Sequence, residues 1–334
     1  MLRNTGLGSM PGTDVVEALK VVTDEFTDFM HLPELPKRGP GSDMVGRTGA
    51  LLAAVASDLA IETTPTGWKF TDAPGAQVRR ALSWLHEDLD RLEEQVGGAE
   101  VRLKLQLTGP ITLAATIALP RGERALVDAG AVRDIAAAHR EAAIQHLADV
   151  RRRLPNARLT LQIDEPAMDA ALRGLIPTQS GMGKLRALPT AVASDLHRLL
   201  ADAISGANAT PWLHSCAPNW PLALVRVAGY RGISGDVALL RDADDDDLGA
   251  AIESGIDIVA GVIPTTDAAL AVRPASEAAT VMPVRLRYQR LGLLDRLASV
   301  VITPACGLGN VTWASALTAI SRTKEAARSL VEED

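Results

Sequence analysis

The sequence predicts an α/β fold of the (β/α)8, or TIM, barrel class, with residues 1–334 as one domain and a small insertion near residues 60–75. Three observations predict it. Strand-like apolar runs alternate with helical stretches, which favours a parallel sheet with right-handed crossovers. Eight strand candidates can be counted, as in a closed barrel. The length of 334 residues suits one large barrel with insertions. A doubly wound open sheet is the alternative.

The first part of the chain carries the less regular elements. They are a short strand that runs into a loop within residues 4–12, a helix from Thr13 or Asp14 to residue 29, a strand at residues 31–35, a helix at residues 44–59, a hairpin at residues 61–71 and a helix at residues 75–96. Thr13 or Asp14 can begin the first helix because its side-chain oxygen accepts from the free N–H groups. The hairpin has a Pro-Thr-Gly turn and is expected to decorate the main fold.

From residue 101 onwards, strands and helices alternate regularly. The predicted strands lie at residues 101–107, 158–163, 210–213, 232–237, 256–263 and 300–303. The predicted helices cover residues 128–154, 190–205, 220–227, 244–254, 276–291 and 311–332. The regular alternation is what favours a parallel sheet.

Composition and charge exclude several classes of protein. With 47% hydrophobic residues, disorder is not expected. The net charge of −7 would repel nucleic-acid phosphates, so no nucleic-acid partner is expected. Two cysteines cannot form a disulfide framework, which suits a reducing, cytoplasmic compartment. The N-terminal segment lacks the apolar region of a signal peptide, and no apolar run is long enough for a membrane span.

Both cysteines follow strand-like runs, and one of them is close to a histidine. His214 and Cys216 are two positions apart after the strand at residues 210–213, and Cys306 follows the last predicted strand. Residues i and i+2 of a strand point to the same side. His214 and Cys216 therefore present an imidazole and a thiol in one direction, as zinc requires. The alternative is that both cysteines are small, inert core residues.

Polar residues follow most of the predicted strands, and barrel enzymes carry their chemistry where the strands end. Three of these residues are further candidates for the site, namely Ser9, Asp164 and Asp236. Asp236 could complete a zinc site, and Asp164 could receive a substrate ammonium group. Since zinc has no redox chemistry, activation of a thiol is the favoured task. The alternatives are turn residues and helix caps or, for Asp164, a buried ion pair with an arginine.

Other polar features are interpreted as structural. The glycines at positions 6 and 8 do not form a dinucleotide fingerprint, because Pro11 stands where the third glycine would be. They suit a close approach of the backbone to a ligand. Four histidines on predicted helices are expected at the surface rather than in a metal site, namely His86, His139, His146 and His197.

Six short motifs occur in order along nearly the whole chain. They are Gly8-Ser9-Met10-Pro11, Asp43-Met44-Val45, Leu107-Thr108-Gly109-Pro110, Gln162-Ile163-Asp164-Glu165-Pro166, His214-Ser215-Cys216 and Cys306-Gly307-Leu308. Through these motifs the chain resembles the catalytic, C-terminal half of cobalamin-independent methionine synthase, in the superfamily that includes uroporphyrinogen decarboxylase. The Asp-Glu-Pro, His-x-Cys and Cys-Gly-Leu motifs are specific when they occur together.

The resemblance implies a (β/α)8 barrel with a catalytic zinc. His214, Cys216 and Cys306 match the family's histidine and cysteine ligands. Asp236 falls where the family has a glutamate ligand, which is one methylene longer.

The resemblance also bears on the substrate. Asp164 matches the aspartate that holds the amino group of homocysteine, and Ser9 matches a serine near its carboxylate. Arg38 stands where the family has a second acidic residue for homocysteine, and would repel an ammonium group. Residues 261–266 hold no counterpart of the family's histidine acid, so no catalytic acid or base is assigned.

The expected function is zinc-dependent methyl or alkyl transfer to a small-molecule thiol, in methionine biosynthesis, without the folate-binding first barrel of the full-length synthases. Short relatives of this kind suggest a corrinoid or methyl-donor protein as the partner. Two alternatives stay open. One is a metal-free lyase of the decarboxylase type, which would use Asp164 and arginines. The other is a non-catalytic relative that binds a small molecule or a corrinoid protein.

Overall fold

The computed structural model describes residues 3–332. The strands in that range are β1 (Met30–His31), β2 (Ala60–Thr64), β3 (Gly67–Thr71), β4 (Arg102–Thr108), β5 (Arg158–Asp164), β6 (Thr210–His214), β7 (Gly232–Asp236), β8 (Asp257–Ile263) and β9 (Val301–Pro304). The helices are α1 (Val15–Glu25), α2 (Met44–Val55), α3 (Ala76–Val96), α4 (Pro110–Thr116), α5 (Ala129–Arg153), α6 (Met168–Leu172), α7 (Thr190–Gly206), α8 (Leu222–Ala228), α9 (Asp245–Glu253), α10 (Asp267–Ala271), α11 (Glu277–Leu291) and α12 (Trp313–Glu332).

Within residues 3–332, seven strands form one curled, parallel sheet in the order β1-β4-β5-β6-β7-β8-β9. Each strand pairs in parallel with the next, from β1 with β4 to β8 with β9. At least one helix lies between successive strands of the sheet along the chain. The prediction of an α/β fold with a parallel sheet is therefore confirmed, with seven described strands where eight were expected.

Residues 4–12 account for the difference in strand number. This segment makes isolated parallel bridges, at Asn4 with Ile302 of β9 and at Ser9 with Glu34, just beyond β1. It has no regular strand of its own because Gly8 has a φ of +132°, outside the extended region. The glycines of this segment are predicted to let the backbone approach a ligand. In the structure they let it approach neighbouring strands, since a Cβ at Gly8 would lie 2.4 Å from Nε2 of Gln106 in β4.

The hairpin predicted within residues 60–75 is present. Strands β2 and β3 pair antiparallel in a sheet of their own. Backbone hydrogen bonds from Phe70 N to Ala118 O and from Ala118 N to Trp68 O tie it to the chain after α4. Gly49 of α2 lets Ile61 pack closely, since a Cβ there would lie 2.2 Å from Ile61 Cδ1.

Helix ends follow local capping. Asp128 Oδ1 accepts from Gly130 N and Ala131 N at the start of α5, where a carboxylate also suits the helix dipole. Helix α1 ends at Glu25, earlier than predicted, and α2 ends at Val55. Within residues 3–332, no helix is both long enough and apolar enough to cross a bilayer.

The prediction of surface histidines is wrong for three of the four. His86 is exposed, but His139, His146 and His197 are buried on α5 and α7. His139 Nε2 donates to Thr108 O at 2.8 Å. Burial lowers the pKa of His139 to about 4, so its ring is neutral in the protein. These three histidines contribute to packing on the inner faces of the helices.

Candidate functional site

The candidate site lies at the carboxyl edge of the sheet. Pairing aligns Thr108 of β4 with Asp164 of β5, Asp164 with His214 of β6, and His214 with Ser234 of β7. One row of polar residues therefore crosses four neighbouring strands. Parallel strands end at a common edge, which is where α/β enzymes place their ligands.

His214, Cys216 and Cys306 converge at this edge. One ligand atom from each residue lies within 4.8 Å of the others. His214 is buried, and the two cysteines are half-buried. His214 Nδ1 lies 3.0 Å from Ser234 Oγ, which leaves Nε2 as the ring nitrogen available to the thiols. Such a contact orients a metal-binding histidine from behind.

The two thiols interact directly. The hydrogen bond from Cys216 lowers the pKa of Cys306, and a second hydrogen bond from His214 adds to this effect. The same contact raises the pKa of Cys216, and burial adds to that rise. In this contact the Cys216 thiol donates and the Cys306 sulfur accepts. A thiolate beside an imidazole is the donor set that soft divalent metals prefer.

The loop that carries Cys306 rests on Ser9. Leu308 N donates to Ser9 O at 2.8 Å. Side chains are excluded from this contact, because a Cβ at Gly307 would lie 2.9 Å from Ser9 Cβ. Glycine in the Cys-Gly-Leu motif thus lets the two loops meet, which brings Ser9 to the cavity beside the thiols.

Asp164 also faces the cavity and is 8% exposed. Gln162 Nε2 donates to Asp164 Oδ1 at 2.7 Å and to Leu7 O at 3.0 Å. Burial raises the pKa of Asp164, whereas His214 and Lys104 oppose the rise. The structure does not show the alternative of a buried ion pair with an arginine, since the hydrogen-bond partner of this carboxylate is the Gln162 amide.

Glu34 is a cavity residue that sequence reasoning missed. It is 5% exposed, and its Oε1 lies 3.6 Å from Arg47 Nε. Burial raises its pKa from 4.5 to about 7, with Arg47 opposing the rise and Asp164 adding to it. The signal was present in the sequence, since Glu34 lies within the strand predicted at residues 31–35.

Arg38 stands where the family has an acidic residue, but its side chain is bound elsewhere in the structure. Its Nη1 bonds Asp88 Oδ1 at 2.6 Å, and its Nε donates to Thr13 O at 3.0 Å. It does not line the cavity. The second carboxylate that lines the cavity with Asp164 deep in the sheet is Glu34, and the Arg38 guanidinium is held away from the cavity by Asp88.

Asp236 stands apart from the cluster. Its Oδ1 accepts from Ala238 N at 2.9 Å and caps the short turn Val237–Leu239. It belongs neither to the group of converging ligand atoms nor to the cavity lining. Asp236 as a fourth ligand therefore stays a prediction.

The cavity beside the cluster has a volume of about 270 Å³. Its described lining is formed by the residues named above and by loop residues around them: Leu7, Ser9, Glu34, Pro36, Asp43, Met44, Asp164, Pro166, His214, Cys216, Cys306, Gly307, Gly309 and Asn310. Carboxylates, thiols and an imidazole supply its charge, and no arginine or lysine is among these described lining residues. Such a cavity suits a small ligand that carries a positive group.

Glu165, next to Asp164, supports the site from behind. It is fully buried and accepts from Ile111 N, Thr112 N and Thr112 Oγ1 at 2.6–3.0 Å. Its own N–H donates to His214 O at 2.8 Å. Glu165 thus ties the start of α4 to the end of β6, which fixes the backbone on both sides of Asp164.

The His-Cys-Cys cluster fits a zinc ion on the chemistry of its donors. Zinc sites in proteins use cysteine sulfur and histidine nitrogen, and catalytic sites hold three protein ligands and keep one position open. Here three such donors converge beside a cavity, with Ser234 positioned behind the imidazole. A zinc ion held by these three residues would keep a fourth position for a ligand from the cavity.

These features define an α/β enzyme class with a curled parallel sheet and a thiol-imidazole cluster at its carboxyl edge. Direct comparison specifies the family. The family model described as "Cobalamin-independent synthase, Catalytic domain" matches residues 2–329. The chain therefore belongs to this family and is an enzyme of the methyltransferase type, as the resemblance implied.

One solved structure supports the fold. A B12-independent methionine synthase from Shewanella sp. W3-18-1, in complex with selenomethionine, is similar with a TM-score of 0.62 at 11% identity, covering 100% of this chain and 98% of that one. The carboxyl transferase domain of Rhizobium etli pyruvate carboxylase, with 3-bromopyruvate, has a TM-score of only 0.28 at 15% identity, covering 72% and 43%. That score is too low to support an argument. No curated protein matches the sequence.

Proposed function

We propose that this chain transfers a methyl or other alkyl group to a small-molecule thiol such as homocysteine, with zinc held by His214, Cys216 and Cys306. The convergence of these three residues beside an acidic cavity is the observation that carries the proposal. We place the activity in methionine biosynthesis, in the cytoplasm and without nucleic-acid or membrane partners.

The proposal includes a closed (β/α)8 barrel formed by a single domain. Residues 3–10 would take the place of the remaining strand. Two observations support this: Thr5 N donates to Ile302 O at 3.2 Å on one side, and Met10 N donates to Glu34 O at 2.8 Å on the other. A closed ring would place every strand end, and hence each candidate residue, at one mouth.

Zinc bound at this cluster would promote loss of the proton from an acceptor thiol, leaving a thiolate nucleophile at neutral pH. The protein's task is then to position that acceptor. Asp164 and Glu34 face the cavity as two carboxylates, and Ser9 presents a hydroxyl near the Cys306 loop. An ammonium group at the carboxylates and a carboxylate near Ser9 would fix the acceptor with its sulfur toward the thiol pair.

Transfer would form a sulfur–carbon bond and break the bond between that carbon and the donor. The described cavity of about 270 Å³ holds a thiol amino acid but leaves little room for a large donor. We therefore favour a donor that approaches from the cavity mouth, such as a corrinoid or methyl-donor protein.

Metal content tests the proposal. Protein from zinc-replete cells should carry about one equivalent of zinc per chain. Cys216→Ser, Cys306→Ser and His214→Ala should each lower it, and His86→Ala, on an exposed histidine, is the matched control. A metal-free lyase predicts little zinc and no dependence on the cysteines.

Ligand binding separates the remaining alternatives. A thermal-shift screen of thiols with and without zinc should show stabilisation by homocysteine only when zinc is present. Stabilisation that is equal without zinc would contradict thiol activation. A zinc-loaded protein that binds a thiol but never alkylates it, with methylcobalamin as methyl donor, would favour the non-catalytic relative.

A further inference from the structure

Asn219 is one of two non-glycine residues within residues 3–332 that have a left-handed backbone conformation. Its φ is 60°, and the other residue is Asn208, with a φ of 57°. Asparagine tolerates this conformation better than most residues, although even for asparagine it is uncommon. Asn208 lies just before β6, whereas Asn219 follows the opposite end of the same strand, three residues after Cys216. A left-handed position therefore lies in the loop that carries a candidate metal ligand.

The side chain of Asn219 ties this loop to a neighbouring one. Its Nδ2 donates to Asp169 Oδ1 at 3.0 Å. Asp169 lies in α6, shortly after the Asp-Glu-Pro motif at the end of β5. A hydrogen bond to a carboxylate is stronger than one between neutral groups. The side chain of Asp169 is only 17% exposed, so water competes only in part for this bond. The loop after β6 is therefore attached to the segment after β5.

The chain on the other side of Cys216 is attached to the same segment. Ser215 Oγ donates to Glu165 O at 3.2 Å and accepts from Ala217 N at 3.3 Å. Ser215 N donates to Ser234 O of β7 at 3.0 Å. The residue directly before Cys216 is therefore held by groups at the ends of the strands on both sides of β6.

Between Cys216 and Asn219 the backbone has little freedom of its own. Pro218 has a fixed φ and restricts the residue before it to extended conformations. After Asn219, the ring of Trp220 is buried against β7, where a Cβ at Gly235 would collide with it. Since this segment is short and anchored at both ends, the conformation of Asn219 determines the path of the chain that carries the Cys216 thiol.

We propose that Asn219 is a positioning residue for the metal centre: its left-handed backbone and its bond to Asp169 keep the Cys216 thiol in place for a metal ion shared with the other two ligands. Replacement of a residue that orients a metal ligand changes metal affinity by roughly 10–100-fold. This inference rests on the proposed zinc site. It assigns part of the metal affinity to a residue outside both the ligand cluster and the described cavity lining.

The zinc affinity of the full chain tests the proposal and is measured by competition with a chromophoric chelator. Asn219→Ala removes the side-chain bond and the preference for a left-handed backbone, so it should weaken zinc binding by roughly 10–100-fold. Asp169→Ala removes the same bond from its other partner and should weaken zinc binding about tenfold. Asp169→Asn keeps an oxygen acceptor and should stay within about threefold of wild type.

Asn208→Ala is the matched control. It places alanine in the same left-handed conformation, but at the end of β6 that lies away from the cluster. Its backbone cost should be similar to that of Asn219→Ala, so both variants should lose stability in urea unfolding. The zinc affinity of Asn208→Ala should nevertheless equal that of wild type.

Cobalt(II) in place of zinc provides a readout that a loss of stability alone does not change. Each thiolate bound to cobalt adds charge-transfer absorption in the near ultraviolet, so the absorption per bound cobalt reports the number of thiolate ligands. At saturating cobalt, Asn219→Ala should absorb less per bound ion than wild type. Asn208→Ala should absorb the same as wild type.

The outcomes are distinct. If Asn219→Ala and Asp169→Ala both match wild type in zinc affinity and cobalt spectrum, the inference is overturned and the zinc site stands. If Asn208→Ala weakens zinc binding equally, the effect is one of overall stability, and the inference is overturned as well. If Asn219→Ala does not fold, the two Asp169 variants decide the same bond. If the wild-type chain binds neither metal, the proposed function fails together with the inference.

Discussion

Glu34→Gln should stabilise the metal-free protein above neutral pH and have little effect in acid. Glu34 is 5% exposed and carries its charge in the cavity floor. Burial raises its pKa from 4.5 to about 7. The folded protein therefore binds more protons than the unfolded chain between these two pH values. Stability from this group is fully present below pH 4.5 and is lost as the pH rises through about 7.

The size of the effect follows from the same two pKa values. Each pH unit between them is worth about 1.4 kcal/mol, so ionisation of Glu34 costs the folded state roughly 3 kcal/mol above pH 7. Glutamine keeps the shape and cannot ionise, so it avoids this cost. Arg47 loses a partner at 3.6 Å but keeps Asp88 at 3.0 Å, which limits the opposing loss.

Urea unfolding of both proteins at pH 4, 6 and 8, with a chelator present, measures the effect as a difference in free energy of unfolding. The difference between Glu34→Gln and wild type should grow by roughly 3 kcal/mol from the lowest to the highest pH. Glu62→Gln, on an exposed glutamate of the hairpin, should show no such trend. A difference that stays constant with pH, or falls, would refute the argument that burial controls this carboxyl group.

Three further substitutions test the assignments around the site. Arg38→Ala should destabilise the fold by about 1–3 kcal/mol, because buried Asp88 loses one partner, yet should leave homocysteine affinity unchanged; tighter binding would mean that Arg38 does face the acceptor. Asp236→Asn should keep the zinc content, since asparagine caps a turn nearly as well, and elemental analysis showing metal loss would make Asp236 a ligand. Gly109→Ala should cost about 1–3 kcal/mol in urea unfolding, as its Cβ would lie 2.2 Å from Glu165 Oε1; unchanged stability would mean that this loop can shift.

The site residues whose positions follow from the two-residue repeat of a strand, or from the end of a strand, could be predicted from the sequence. His214 and Cys216 were paired by the two-residue repeat, and Cys306 by its equivalent place after a strand. These positions depend on local geometry, which the sequence encodes directly. The parallel pairing that brings the strand ends together follows from the alternation of strands and helices.

The residues that were missed depend on tertiary packing. Glu34 follows a strand of only two residues, and prolines obscure the pattern on both sides of it. Helix α5 is rich in alanine, so no apolar stripe indicated which side is buried, and His139 was placed at the surface. Lys104 is one of the alternating residues of β4. The alternation does not show whether the interior of the sheet contains charged groups.

The spacing of the two cysteines has a consequence for how the chain holds together. Cys216 and Cys306 are ninety positions apart, and β7 and β8 lie between them. A single metal ion bound by both cysteines would cross-link the chain across those ninety positions. On the chain-entropy account, such a long closed loop removes freedom from the unfolded chain worth roughly 4–5 kcal/mol. Removal of the metal should therefore destabilise the part of the sheet between the two cysteines. Faster amide hydrogen exchange in β7 and β8 should be its first sign.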